Sequence, residues 1–182
     1  MKEISLKILD IAENSLKAKA TLVEIALTEN DDTLQICITD NGTGMTREIL
    51  DSVINPFCTT RTTRKVGMGI PLFKFAAEQT GGTLSIKSTH IDDDQKNHGT
   101  EVKALFYKKH IDFTPLGDVI SSVTTLIQGH PDTDFLFTHS SDTLSVRLDT
   151  RELREVLEDV PLDTFEVLLW IRENLSEQYN QI

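Results

Sequence analysis

Leu34-Gln35-Ile36-Cys37-Ile38-Thr39-Asp40-Asn41-Gly42-Thr43-Gly44 is the stretch on which the reading of this chain turns. Its first six residues alternate apolar and polar, the pattern of a half-buried strand. Asp40 ends the strand, and Gly42 and Gly44 then permit backbone that other residues avoid and let another molecule approach the main chain. Asn41-Gly42 would also suit a hairpin turn, but a hairpin needs a returning strand. Residues 46–54 have the character of a short helix instead. The loop is therefore expected to bind something, with Asp40 as a fixed acceptor at its base.

Residues 4–18 form an expected amphipathic helix. Ile4, Ile8, Leu9, Ile11, Ala12, Leu16 and Ala18 share one arc, and Asp10, Glu13, Asn14 and Lys17 the other. Asp10 and Asn14 are spaced i, i+4 and so are neighbours on the helix surface. A strand over 21–28 and the turn Glu29-Asn30-Asp31-Asp32 lead into the strand that ends at Asp40. Beyond the short helix, residues 55–66 carry threonines and cations, which suit an anion better than a core. Gly67-Met68-Gly69 then precedes a helix from about Ile70 to Thr80, ended by Gly81-Gly82. Glycines at a helix start direct free N–H groups and the positive dipole end to one point, an arrangement suited to phosphate. Strands over 83–88 and 99–106 flank a polar connection from His90 to His98.

Composition narrows the class. The chain has 182 residues, 38% hydrophobic and 26% charged, which fits a soluble domain with an appendage. No apolar run is long enough to span a membrane and the amino terminus does not read as a signal peptide. Two cysteines, Cys37 and Cys58, match neither a disulfide framework nor a zinc spacing. A cytoplasmic protein is expected. Charge is uneven: residues 1–109 carry 14 Lys and Arg against 15 Asp and Glu, and residues 110–182 carry 4 against 14. The first part can hold an anionic ligand. The acidic second part argues against nucleic acid as a main partner.

Taken in order, these pieces resemble the GHKL superfamily of ATP-binding domains, which includes histidine kinases, gyrase-type topoisomerases, the Hsp90 chaperones, the MutL proteins and the anti-sigma-factor kinases. Asn14 matches the asparagine of the N box, and the run from Glu13 to Thr21 is similar to the MutL version. Asp40, Gly42 and Gly44 match the G1 box, Pro56-Phe57 with Thr59-Thr60-Arg61 resembles the F box of nitrogen-regulation-type histidine kinases, and Gly67 and Gly69 match the G2 box. Gly99-Thr100 resembles the last nucleotide-contacting motif. The resemblance implies an α/β (α+β) two-layer sandwich, a mixed and mostly antiparallel sheet covered by helices on one face, known as the Bergerat fold. It implies ATP and Mg²⁺ as cofactors. Asp40 would accept from the adenine amino group, Thr100 would help hold a water, Gly44 would let the loop lie against the base, and Gly42 and Met45 would also belong to the nucleotide site. Asn14 would give its amide oxygen to the metal. Gly67, Met68 and Gly69 would offer N–H groups to phosphates, and Arg61, Arg64 or Lys65 would reach the outer phosphate.

Two departures qualify the resemblance. Where hydrolysing members carry a glutamate as general base, this chain has Asp10, one methylene shorter, with Glu13 as a substitute. No phospho-acceptor domain is expected before the N box, and His90, His98, His110, His130 and His139 read as ordinary surface histidines. The expected organisation is an ATP-binding domain over 1–109 and a small acidic α+β extension over 110–182. In that extension a helix over 116–128, paired strands over 133–139 and 143–149, and a helix over 150–159 are expected. A final helix would be opened by an Asp163/Glu166 capping box, with Phe165, Leu168, Leu169 and Leu175 on its apolar face. The leading functional expectation is a Mg-ATP-dependent kinase acting on or regulating a separate protein. The alternatives are a MutL-like ATPase switch, homodimerisation included, and a non-catalytic ATP sensor.

Overall fold

A computed structural model describes residues 3–54 and 67–181. The element order is α1 (Ile4–Lys17), β1 (Leu22–Glu29), β2 (Thr33–Asp40), α2 (Arg47–Ile54), α3 (Gly69–Gln79), β3 (Thr83–Thr89), β4 (Gly99–Tyr107), α4 (Val119–Gly129), β5 (Asp134–Ser140), β6 (Ser145–Asp149), α5 (Thr150–Leu157) and α6 (Phe165–Asn180). The six strands form one sheet in the order β3-β4-β2-β1-β5-β6. Every pairing is antiparallel except β1 with β5. The sheet is thus mixed and mostly antiparallel, as expected of the fold class.

Alternation decides which face of the sheet is covered. Val23, Ile25 and Leu27 of β1, Leu34, Ile36 and Ile38 of β2, Val102, Ala104 and Phe106 of β4, and Phe135 and Phe137 of β5 are all buried. They project to one side and meet α1, α3 and α4 there, while α6 packs against β6 and α4. The residues between them, such as Thr33, Gln35 and Thr39, are only half-buried. No helix among the described residues is long and apolar enough to cross a membrane.

The C-terminal segment is built onto this same sheet. β5 pairs with β1 from Leu22↔Asp134 to Thr28↔Ser140, and Val119, Val123, Phe135, Phe137 and Ile171 belong to one buried cluster with Ile8 and Ile36. The first free N–H groups of α1 are satisfied from that segment too: Ile4 N donates to Pro115 O at 3.0 Å and Ser5 N to Leu116 O at 2.8 Å. The boundary near residue 109 therefore divides the sequence resemblance, while the sheet and its core run through it.

Three local expectations are corrected. The Asp163/Glu166 capping box does not form: the N-cap of α6 is Thr164, without a side-chain cap bond, and its hydroxyl donates instead to Pro161 O. The buried face of α6 is Val167, Leu168, Ile171 and Leu175, which leaves Phe165 and Leu169 exposed. His139 is no surface histidine: it is 2% exposed, its Nδ1 lies 2.8 Å from the Tyr179 hydroxyl, and its Nε2 lies 3.0 Å from Glu29 Oε1. Burial pushes the imidazole down, against the pull of the Glu29 carboxylate. Neutral His139 can donate through Nε2 to Glu29 and accept the Tyr179 proton at Nδ1. Glu29 is also held by Lys108 Nζ at 2.7 Å. Burial would raise the Glu29 carboxyl, but Lys108 and His139 outweigh it and hold it below the usual carboxylate range.

Candidate functional site

The loop after β2 is held from three sides. Thr43 N donates to Ala18 O, at the end of α1, at 2.8 Å, and Ile91 N donates to Thr43 O at 2.8 Å. His98 Nδ1 donates to Gly42 O at 2.5 Å, so His98 too has a structural partner that the sequence reading did not give it. Asn41 faces the other way: its Oδ1 accepts from Thr21 N and Leu22 N, and its Nδ2 donates to Thr21 Oγ1. It fastens the start of β1.

Two of the glycines are dictated by this tightness. A Cβ on Gly42 would sit 2.8 Å from Ala18 O and 3.0 Å from the Ala18 Cβ. Gly44 has φ +69°, and a Cβ there would sit 1.9 Å from Thr89 O.

The register of the sheet gathers the polar groups. Asp40 pairs opposite Thr100, and Thr100 opposite Ser88, so the three occupy one row across β2, β4 and β3. They follow the apolar row Ile38, Val102, Ile86 on the helix-covered face. Asp40 is fixed by both oxygens: Oδ1 accepts from Gly42 N at 2.8 Å and Oδ2 accepts from Ser15 Oγ at 2.6 Å. Ser88 Oγ accepts from Met45 N at 2.7 Å and shares a 2.8 Å hydrogen bond with Thr100 Oγ1. The main chain at Met45 is thereby tied to the same row.

A cavity of about 250 Å³ opens over this row. Asp40, Thr100 and Ser15 line one part of it with Gly44 and Met45, and Ile49, Val53, Ile70 and Val102 supply apolar wall. Asn14 and Gly67 line it as well. α3 begins beside them: a Cβ on Gly69 would lie 3.4 Å from Asp10 Cβ and 3.7 Å from Asn14 Nδ2. The start of α3 therefore lies against the helix face that carries Asp10 and Asn14. Pro71, in its first turn, removes one N–H there and leaves those of Gly69 and Ile70. Gly67 has open space around it and Met68 is 65% exposed.

Most of the residues singled out in the sequence thus converge. Asn14, Asp40, Gly44, Met45, Gly67 and Thr100 line the cavity, Gly42 positions Asp40, and Gly69 and Asp10 adjoin Asn14. Glu13 does not join them: its Oε1 lies 3.3 Å from His130 Nε2, at the end of α4, because residues 13 and 14 of a helix point about 100° apart. Arg61, Arg64 and Lys65, with the F-box residues Pro56, Phe57, Thr59 and Thr60 and the second cysteine Cys58, lie outside the described residues. Two site residues were missed. Ser15 adjoins Asn14 in the sequence and would have been found by asking what occupies the sheet-facing side of the helix. Ser88 continues the Leu84, Ile86 alternation onto the covered face.

The family model of histidine kinase-, DNA gyrase B- and HSP90-like ATPases matches residues 3–110. The chain belongs to that family. Its GHKL ATP-binding domain has the same general fold as solved MutL structures. The Aquifex aeolicus MutL ATPase domain complexed with ADP is 17% identical, with a TM-score of 0.54 over 87% of this chain and 70% of that one. The ATPase domain from the bacterial mismatch repair endonuclease Aquifex aeolicus MutL is 16% identical, with a TM-score of 0.52 over 87% of this chain and 65% of that one. The N-terminal domain of a DNA repair protein is 14% identical, with a TM-score of 0.50 over 82% and 52%. The family match ends at residue 110, so overlays that take in 87% of the chain extend into its C-terminal strands and helices.

Proposed function

We propose that this GHKL domain binds Mg-ATP in the cavity over Asp40 and uses it to act on a separate protein. The observation that carries the reading is the state of Asp40. Its two oxygens are held by Gly42 N–H and Ser15 O–H on the floor of a cavity that Asn14 also lines. A carboxylate so fixed retains lone pairs for an amino group on a planar base. The apolar wall of Ile49, Val53, Ile70 and Val102 suits that base, and the start of α3 beside Asn14 suits its phosphates.

The donor set fits magnesium. Mg²⁺ prefers oxygen, keeps several waters and shares its shell with phosphate, so one amide oxygen from Asn14 is an adequate protein contribution. When bound, the ion would supply positive charge that partly neutralises the phosphates. Asn14 would hold it, Gly67 and the first N–H groups of α3 would orient the phosphates, and Asp10 would accept a proton from a water or a hydroxyl nearby. With Glu13 turned toward His130, Asp10 is the better placed of the two carboxylates.

The kinase-type reading has phosphate passing to the partner. A second reading, an ATP-driven switch with slow hydrolysis and dimerisation, is favoured by the fold likeness to MutL ATPase domains and by the wording around Asn14. Incubation with γ-labelled ATP separates them: label on a partner supports the kinase reading, and released phosphate the switch. For the metal role, Asn14→Ala should reduce the affinity for Mg-ATP on the order of tenfold while leaving metal-free ATP affected less. Equal effects on both would remove the metal from Asn14.

A further inference from the structure

The outer face of α6 holds large apolar side chains and unpaired carboxylates together. Phe165 is 73% exposed, Leu169 44% and Trp170 48%. At 100° per residue, with Val167, Leu168, Ile171 and Leu175 turned inward, these three share the outward face with Glu166, Glu173 and Glu177. Those glutamates are exposed, and none has an ion-pair or hydrogen-bond partner among the described residues. Arg172 is the one cation of the helix, and it is committed to Ser121 Oγ at 3.0 Å. The other arginines of the acidic segment are committed as well: Arg147 to Glu152 and Asp149, Arg151 to Asp149, and Arg154 to Asp134. The excess negative charge of residues 110–182 is therefore left without a counter-charge on this face.

We propose that this face of α6 docks a basic amphipathic helix of a partner protein, its apolar side covering Phe165, Leu169 and Trp170 and its Lys or Arg side meeting Glu166, Glu173 and Glu177. Three exposed large apolar side chains on one helix face are what an interface covers. Charge selects the occupant. A second copy would bring the same glutamates against these, at a repulsive cost. An anionic membrane surface would repel them as well. A cationic amphipathic segment satisfies both parts of the face, in the helix-on-groove manner that reads anchors at i and i+4. The inference is independent of the nucleotide reading, because no residue of α6 lines the cavity.

Trp170 is the only tryptophan of the chain, so its fluorescence reports this face directly. The full chain is titrated with a Leu/Lys helical peptide of roughly 18 residues, Leu at i, i+3, i+4, i+7, and with a peptide of the same composition in scrambled order. The expected result is saturable binding of the ordered peptide with a blue shift of Trp170 emission. Affinity should fall on the order of tenfold in the double variant Phe165→Ser, Leu169→Ser. It should also fall when Glu166, Glu173 and Glu177 are all changed to Gln, and when salt is raised from about 50 to about 300 mM. All five side chains are exposed, so circular dichroism of the variants should match the parent. Equal binding of the scrambled peptide, parental affinity in either variant, or a blue shift without peptide that grows with protein concentration would each overturn the proposal. So would preferential binding to vesicles of phosphatidylserine and phosphatidylcholine.

Discussion

Ser15→Ala isolates one hydroxyl whose work is visible in the structure. Ser15 is 4% exposed, and its Oγ donates to Asp40 Oδ2 at 2.6 Å. A hydrogen bond to a charged acceptor contributes about 1.5–3 kcal/mol, and alanine recovers roughly 0.5 kcal/mol of helix propensity over serine, so the net loss of stability should be about 1–2.5 kcal/mol. Asp40→Asn changes the partner instead. Its amide oxygen can still accept from Gly42 N–H, while its NH₂ presents a donor to Ser15, whose hydroxyl can turn and accept. With Ser15 gone, that adjustment has nothing to adjust. The two substitutions should therefore be non-additive, by about 1 kcal/mol or more. Urea unfolding of the parent, both single variants and the double variant, followed by circular dichroism at constant pH, gives the coupling. Additivity within about 0.3 kcal/mol would refute the claim that this contact fixes the carboxylate. The same Ser15→Ala protein should bind ATP several-fold more weakly, because a carboxylate held on one side alone is less well placed.

Two other outcomes follow from the geometry. Gly44→Ala puts a side chain at φ +69° with its Cβ 1.9 Å from Thr89 O, so thermal unfolding should show a loss of about 3 kcal/mol or more; a change under about 1 kcal/mol would mean that the loop relaxes freely. Acid should destabilise the protein in two stages. His139 has its folded pKa below the ordinary value of 6.5, so the unfolded chain takes up the proton first, and stability present above that value is lost as pH falls through it toward the folded pKa. Glu29, held low mainly by Lys108, contributes stability that is lost at lower pH still, as pH falls from the ordinary carboxylate value toward its own. Denaturant midpoints for the parent and His139→Leu check this: the variant should lose the upper stage and keep the lower, and an unchanged upper stage would assign it to another group.

The sequence was most legible where pattern and chemistry agreed. The alternation in residues 34–39 ending at Asp40, the glycine pair after it and the Asp10/Asn14 spacing each encode one local constraint, and the fold brings them together. Ser15 and Ser88 were harder to see. Their importance comes from register, since Ser88 matters because it lies across from Thr100, and a single strand does not announce its partner. His139 escaped for the same reason: its partners, Glu29 and Tyr179, are 110 and 40 residues away. The face of α6 was misread because Phe165 and Leu169 have the apolarity of core residues while Val167 and Ile171 occupy the inward arc. Hydrophobicity alone cannot rank two apolar stripes on one helix. The extent of the sheet was equally hidden, because the parallel pairing of β1 with β5 is made across the whole intervening chain.

Recognition of the adenine amino group by Asp40 is checked by calorimetric titration of the parent and Asp40→Asn proteins with Mg-ATP and Mg-ITP. ITP carries an acceptor where ATP carries that amino group. The parent should bind one ATP per chain and prefer it to ITP. Asp40→Asn should lose roughly a hundredfold in ATP affinity and narrow or reverse the preference. Parental ATP affinity in the variant, or no discrimination between the two nucleotides by the parent, would contradict it.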